Sequence, residues 1–433
     1  MITIVPYDPD WPRQFEQERA RLADALGVIA IRIEHHGSTA VPGLDAKPVI
    51  DIQISVARLQ PMDAYAAALA RAGYTHLRHD DDAFAPFFHR PSDWPHTHHV
   101  HVVEAGSAEE RKTLAFRDYL RSHPDAAQEY VQLKHGLAAQ FGGVDAASRE
   151  AYAAGKAGFV NALDVRAYYE RYEEETRLAG GSSQLEFERT KEILARHLPP
   201  SPARVLDVGG AAGVYSLWLA SLGHEVHLVD ASGRLVEEAK RRSALAAKPI
   251  RSMRVGNACA LDDPSESADV VLVMGPLYHL TSAAEREAAL AEAFRVLRYG
   301  GFVAVAAISR YASALDGLAH NLSLDADFVA IRDQDLRDGQ HRNPGNHPYY
   351  FTTAYFHMPD GLRDELAAAG FDEPRVLGVE GPGWLLSDFD ERWADTAKRN
   401  VILDTARALE AEPAVIGASA HLLGLGWKKS VLP

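Results

Sequence analysis

At 433 residues the chain is too long for one ordinary hydrophobic core, so two domains are the default. Its 47% hydrophobic and 24% charged content is that of a globular protein and excludes a disordered or fibrous one. A formal net charge of −15 argues against a general nucleic-acid binder, and Cys259, the only cysteine, excludes an intrachain disulfide and a cysteine-built zinc site.

The N-terminus lacks the basic start and apolar core of a secretory signal, and no apolar run approaches the ~20 residues of a membrane span. A cytoplasmic protein with no membrane contact is expected. The spacing of Phe15, Leu22 and Leu26 predicts an amphipathic helix from about Pro12 to Leu26. A strand from Ala30 to His35 follows, then the turn His36-Gly37-Ser38-Thr39 and a loop reaching Lys47. The strand Pro48 to Ser55 puts Asp51 and Gln53 on one face, and Asp51 amid Val49, Ile50, Ile52 and Ile54 is costly unless it binds something. His96, His98, His99 and His101 crowd another strand and its approach, with His99 and His101 sharing a face. They either bind metal or phosphate with Asp51 or are hydrogen-bonded polar residues of a half-buried sheet. Ala108 to Phe141 is helical by period with a turn at His123-Pro124, and a helix carrying Tyr152, Lys156 and Phe159 finishes the domain.

The run Glu34 to Ile52, with the His98 to Glu104 strand and the Phe116-Arg-Asp-Tyr-Leu120 helix, closely resembles the GrpB family over residues 1–165. That resemblance implies an α+β nucleotidyltransferase fold. It further implies a Gly37-Ser38 turn that holds phosphate of a nucleotide, with Asp51 binding Mg²⁺; Lys47 suits the same anion, and Asp51, His99 and His101 are the metal candidates. Gln53 departs from the Asp-x-Asp of nucleotidyltransferases, so a second acid such as Glu104 would have to substitute in two-metal chemistry. A working nucleotidyltransferase and a binding or assembly module both remain open.

In residues 166–433, Tyr168 to Arg177 is dense in charge and tyrosine and reads as helix. Val205, Leu206 and Val208 form a short apolar strand run followed by Gly209, Gly210 and Gly213, and a second strand, Glu225 to Asp230, ends on a carboxylate. Asp230 follows Asp207 at close to the ~20-residue offset at which an acid meets ribose hydroxyls in doubly wound folds. The pair points to a nucleoside cofactor; the bland alternative is a tight strand-to-helix loop that binds nothing. The strand Ala268 to Met274 leads into Gly275-Pro-Leu-Tyr-His-Leu280 at the ligand-binding end of an open sheet. Tyr278 and His279 are its titratable groups, and His279 either acts as a base or only shapes the pocket. A helix from Glu285 to Leu297 and a strand from Phe302 to Ile308 continue the alternation. Asn321 to Tyr355 then breaks it as an inserted loop or helical cap, in which Tyr349, Tyr350, Tyr355 and neighbouring His357 line an acceptor pocket or belong to a surface loop. A helix from Pro359 to Gly370, a strand and turn from Val376 to Trp384, and a last helix and strand from Pro413 to Lys428 complete the sheet.

From about Tyr168 to Trp427 the chain resembles class I S-adenosylmethionine-dependent methyltransferases carrying a Gly-Pro-Leu-Tyr-His-Leu segment. The resemblance implies an α/β, doubly wound Rossmann-like domain with a helical lid and an inserted cap. It implies S-adenosyl-L-methionine as cofactor, its methionine part at Asp207, Gly209, Gly210 and Gly213, its ribose at Asp230 and Ala231, its adenine at Asn257 and Ala258, and Met274 and Gly275 beside it. Tyr168, Tyr169, Tyr172 and Arg177 become lid candidates over cofactor and substrate. Ala211 replaces a frequent loop glycine; its methyl group narrows the allowed backbone but does not forbid a turn with negative φ. The acid balance favours a small-molecule acceptor over tRNA or DNA. A cofactor-binding sensor without chemistry is the rival reading, and the sequence fixes no oligomeric state.

Overall fold

A computed structural model describes residues 3–78, 82, 85–141, 143, 148, 151–152, 155–156, 159, 177–178, 180–343 and 350–429, with backbone alone at 108, 109, 111 and 112. The residues divide into two compact units, Met1–Leu163 with Asn343–Tyr350, and Asp164–Arg342 with Phe351–Pro433.

In the first unit, Pro12 starts helix α1 (Trp11–Leu26), which buries Trp11, Phe15, Leu22 and Leu26 and ends at Gly27, whose φ of 54° is readily reached only without a side chain. Then come β1 (Ala30–His36), β2 (Ile50–Val56), α2 (Asp63–Arg71), β3 (Thr75–Leu77), β4 (Phe87–Arg90), β5 (His98–Glu104), α3 (Ala108–Ser122) and α4 (Pro124–Gln140). The five strands are ordered β1-β2-β5-β4-β3, with β2 and β5 parallel and the other neighbours antiparallel. Ile50, Ile52, Ile54, Val100 and Val102 pack into one core with α1 and Tyr65 of α2. Alternation sends the residues between them to the opposite face, where the register sets His36 beside Asp51, Asp51 beside His99, and Gln53 beside His101.

The second unit opens with α5 (Ser183–Ala195) and alternates β6 (Arg204–Val208), α6 (Val214–Ser221), β7 (Glu225–Asp230), α7 (Gly233–Leu245), β8 (Ser252–Val255) and β9 (Ala268–Val273). It continues through the single turn α8 (Pro276–His279), α9 (Ala283–Val296), β10 (Leu297–Ser309), α10 (Ala312–Ala319), α11 (Ala326–Asp338), β11 (Gln340–His341) and β12 (Ala354–His357). The closing elements are α12 (Pro359–Ala368), β13 (Asp372–Gly378), α13 (Phe389–Ala394), α14 (Thr396–Leu409) and β14 (His421–Trp427). Strands β8, β7, β6, β9 and β10 run parallel in that order, and β14 lies antiparallel between β10 and β13. Consecutive residues feed opposite cores: Val270 and Leu272 join Leu219 of α6 and Val236 of α7, while Val271 and Val273 join Leu290 of α9 and Leu366 of α12. Covering both faces is what lets these strands be apolar without alternation, and it makes this a doubly wound sheet.

One expectation shifts. The last helix, α14, lies before Pro413, because that proline follows the helix end and only a short turn of helix, Ile416–Ala418, separates it from β14. Of the two forms expected between 321 and 355, the described residues take the helical one: α11, capped by Asp325 at two backbone amides, and a pairing of β11 with β12. Among the described residues no helix is long and apolar enough to cross a membrane.

Candidate functional site

The cleft of the second unit is built at the C-terminal ends of β6, β7 and β9. The Gly209 amide donates to Val229 O at 2.7 Å, which folds the turn back over β7. At Gly209 φ is 76° and a side chain would run into the Pro276 ring; at Gly210 a Cβ would lie 2.8 Å from Asp207 Oδ2 and from Leu228 Cδ1. The turn therefore lies tightly against both the strand beneath it and the Gly275 segment.

Ala211 does not use the negative φ that its methyl group favours: it stands at φ 46°, in the left-handed region. The reason is its amide, which donates to Asp230 Oδ2 at 2.8 Å, while the Ser232 amide donates to Oδ1 at 2.8 Å. Asp230 thus fixes two turns at once. Burial raises its pKa and the two amides oppose that rise. Asp207 is wholly buried; its Oδ2 accepts from Ser216 Oγ at 2.6 Å, and its Oδ1 has no hydrogen-bond partner. Burial, opposed by the Ser216 bond and reinforced by the Asp230 charge, pushes its pKa up to about 6.

The Met274 amide donates to Val208 O at 3.2 Å, and Gly275 abuts Gly209 O, so the fourth-strand turn closes on the glycine turn. Tyr278 meets His279 edge to face at 4.7 Å, and the His279 ring stacks on Phe351 at 5.8 Å. His279 Nδ1 donates to Thr353 O at 3.5 Å, which makes Nε2 the unprotonated nitrogen of the neutral ring. Burial holds its pKa down at about 4. Asn257 is exposed and its Oδ1 accepts from the Cys259 amide at 2.9 Å; Ala231 is exposed, and Ala258 packs against the core.

The remaining expected residues scatter. Arg177 forks onto Glu186 of α5 at 2.6 and 3.1 Å. Tyr355 lies under the Arg286 guanidinium, 3.7 Å from its ring centre, and His357 Nε2 meets Glu365 Oε2 at 3.2 Å. Arg286 and Glu365 pair at 2.9 Å, so β12 carries a buried ionic network, and His357, 1% exposed, is enclosed by it. Tyr350 is buried and is grouped with the first unit, Tyr355 and His357 with the second. Tyr168, Tyr169, Tyr172 and Tyr349 lie outside the described residues.

In the first unit Gly37, at φ 69°, presses its backbone against the Asp51 carboxylate. Asp51 Oδ1 lies 3.1 Å from His99 Nδ1, and His99 Nε2 lies 3.2 Å from His96 Nδ1. Burial works against the Asp51 charge, but His99 and the neighbouring His36 and His101 hold its carboxyl well below the usual range. His101 meets the His36 ring at 5.3 Å and the Phe87 ring at 4.9 Å. Asp51, His99 and His101 do not form a cluster with all three ligand atoms within 4.8 Å; among the described residues that closeness is reached by Glu186, Glu380 and His421. Gln53 is enclosed, its amide donating to Glu110 O at 3.2 Å and accepting from Thr113 Oγ1 at 2.5 Å. Glu104 alternates onto the face opposite His99 and His101, so it does not supply the second acid beside Asp51.

One lysine reaches the Gly-Ser turn; burial lowers its pKa, and two more lysines lie close enough to it to lower it further. Lys134 Nζ donates to Ser38 Oγ at 3.2 Å and to Asp45 O; Lys47 and Lys156 both lie over the Tyr152 ring, at 4.8 and 4.9 Å. Burial and then Lys156 push Lys134 down to about 7, and burial and then Lys47 push Lys156 down to about 8. Lys134 escaped sequence reasoning because it sits within an unremarkable helix, far in the chain from Ser38. Glu380 did leave a signal, an acid inside the apolar run Val376 to Trp384.

Residues 1–166 match the family model for GrpB protein, and residues 205–301 match that for a methyltransferase domain. A UPF0157 protein of Pseudomonas aeruginosa is 40% identical over 158 residues, 36% of this chain and 63% of its own length, so the chain spans less than two thirds of that relative. A UPF0157 protein of Halalkalibacterium halodurans is 39% identical over 32% of this chain and 69% of its own. A Thermotoga maritima structure, described as a SAM-dependent methyltransferase and possible histamine N-methyltransferase, is 19% identical, with TM-score 0.39, over 62% of this chain and 99% of its own. Through its first 166 residues the chain belongs to the GrpB family, and it carries a methyltransferase domain behind that part.

Proposed function

We propose that the second unit moves the methyl group of S-adenosyl-L-methionine to a small-molecule acceptor in the cytoplasm. The observation that carries this reading is Asp230, clamped by the Ala211 and Ser232 amides beside a glycine turn too tight for side chains. A carboxylate with two amides keeps acceptor capacity for the two hydroxyls of a ribose. The cofactor fits on a second count: the buried Asp207 Oδ1 lacks a partner that a bound ammonium group would supply. When bound, the cofactor supplies an electrophilic methyl on a sulfonium.

The chain's own residues then orient and desolvate. Gly209 and Gly210 admit the cofactor close to the backbone, and Tyr278 and His279 wall the side on which the acceptor heteroatom approaches. His279, neutral and with its pKa near 4, is a weak proton acceptor, so it shapes the pocket and the acceptor nitrogen or oxygen arrives with its lone pair available. Calorimetric titration with S-adenosylmethionine and its demethylated product, followed by incubation of labelled cofactor with cell extract, tests both binding and transfer. Tight binding with no labelled product would replace the enzyme by a sensor.

For the first unit the supported reading is a phosphate- or nucleotide-binding module. A buried ammonium group on Ser38, that of Lys134, with those of Lys47 and Lys156 acting on it, favours an anion. A two-magnesium reaction needs a second carboxylate, whereas Gln53 is bonded at both ends to α3 and imidazoles, not oxygens, surround Asp51. ATP and pyrophosphate titrations of the full chain, with Mg²⁺ and without, test this. Pyrophosphate release from ATP that vanishes in Asp51→Asn would instead establish a nucleotidyltransferase.

A further inference from the structure

Three ionisable side chains that play no part in the cofactor reading converge in the second unit. Glu186 lies in the first turn of α5, Glu380 just past β13, and His421 opens β14; each offers a ligating atom within 4.8 Å of the other two. His421 Nδ1 lies against Glu380 Oε1 and 3.7 Å from Glu186 Oε2, and its backbone amide donates to Glu380 Oε2 at 3.1 Å. We infer that Glu186, Glu380 and His421 form a binding site for a first-row divalent cation of the Mn²⁺ or Zn²⁺ type.

Burial makes the cluster unlike a surface acidic patch. Glu186 is 8% and Glu380 2% exposed, and two carboxylates enclosed together need positive charge. In the metal-free chain it comes from Arg177 and from the His421 ring, whose pKa, against burial, the two carboxylates raise to about 9. A divalent cation set between them would take over that compensation from the His421 proton and Arg177. The donor set selects the ion, since an imidazole nitrogen with two carboxylate oxygens suits Mn²⁺, Fe²⁺ or Zn²⁺, whereas Mg²⁺ and Ca²⁺ prefer oxygen throughout. Three protein ligands leave an open coordination position for water or a ligand heteroatom. The position is also apt: His421 pairs with Ile308 near the C-terminal end of β10, the end of such a sheet where ligands bind.

Arg177 is the competitor, since its fork already neutralises Glu186. A cation would take Oε2 from it, and the ring proton between His421 and Glu380 would leave to solvent. Without a metal, the same groups would serve only to tie α5 to the β13–β14 pair.

The test uses the full chain, stripped with a chelator and titrated with Co²⁺, read by its visible absorption, and with Mn²⁺ and Zn²⁺ by calorimetry. Wild type should bind about one equivalent at this site. Glu380→Gln, nearly isosteric, and His421→Ala should each weaken that equivalent by roughly tenfold or more, while Arg177→Ala should tighten it. S-adenosylmethionine binding by Glu380→Gln and His421→Ala, and the circular dichroism of Arg177→Ala, report that each is folded. Absence of saturable metal binding in wild type, or the same stoichiometry and affinity in folded His421→Ala, would overturn the site. Either result would leave the methyltransferase reading standing if the cofactor still bound.

Discussion

Asp230 holds the Ala211 and Ser232 amides at 2.8 Å each, so its removal affects the cleft's shape as well as the proposed ribose contact. Asp230→Ala should weaken S-adenosylmethionine by about 1.5–3 kcal/mol, roughly ten- to a hundredfold, in calorimetric titration; unchanged affinity would remove Asp230 from the site. Ala211 at φ 46° carries strain that a glycine lacks, and Ala211→Gly should raise stability by about 0.5–1 kcal/mol in urea unfolding. Asp207 gives a pH signature. Its folded pKa, about 6, lies above the unfolded value, so its contribution is present at pH 4 and is lost as pH rises through 6, up to about 3 kcal/mol. Asp207→Asn should flatten that part of the stability profile. The ~20-residue offset singled out Asp230, whereas nothing local reveals that its carboxylate, on the next strand, captures the Ala211 amide and that this residue stands at positive φ.

Among elements, β2 and β5 carry the first unit's chemistry on one face and its core on the other. Period-two alternation made the sharing of faces by Asp51 with Gln53, and by His99 with His101, legible in advance. It could not say that α3 would cover Gln53, since that contact joins residues far apart in the chain. Gln53→Asp should therefore bury a carboxylate against the Glu110 carbonyl, costing about 2–4 kcal/mol without creating a metal ligand. Comparison of unfolding midpoints and Mg²⁺ titration would check both halves of that statement. His35 and His98 have folded pKa values lowered to about 4, chiefly by burial. A base depressed in the folded state contributes stability present above its unfolded pKa near 6.5 and lost as pH falls toward 4. The first unit should accordingly lose on the order of 1–2 kcal/mol per group by pH 5, visible as earlier hydrogen exchange of β2 and β5.

For the whole molecule, length alone indicated two domains, and each unit has its own apolar clusters. We expect two calorimetric transitions, of which S-adenosylmethionine raises one, by about 2.7 kcal/mol of added stability at a hundred times its Kd. A single transition that shifts as a whole would show that the units unfold together. What no reading of the chain could assemble was the trio Glu186, Glu380 and His421, drawn from segments with no motif in common.

Strand β14 lies inside its sheet, bonded to β10 on one side and β13 on the other, yet it is the last strand in chain order. During synthesis the first unit has all its strands once residue 104 has left the ribosome, whereas the second must hold β10 and β13 apart until residue 427 emerges. A nascent chain paused before that point exposes two unpaired strand edges lined by Leu377 and Val303. Dependence on chaperones should therefore fall on the methyltransferase half, and truncation before His421 should yield aggregates from which an intact GrpB half can be recovered by mild proteolysis.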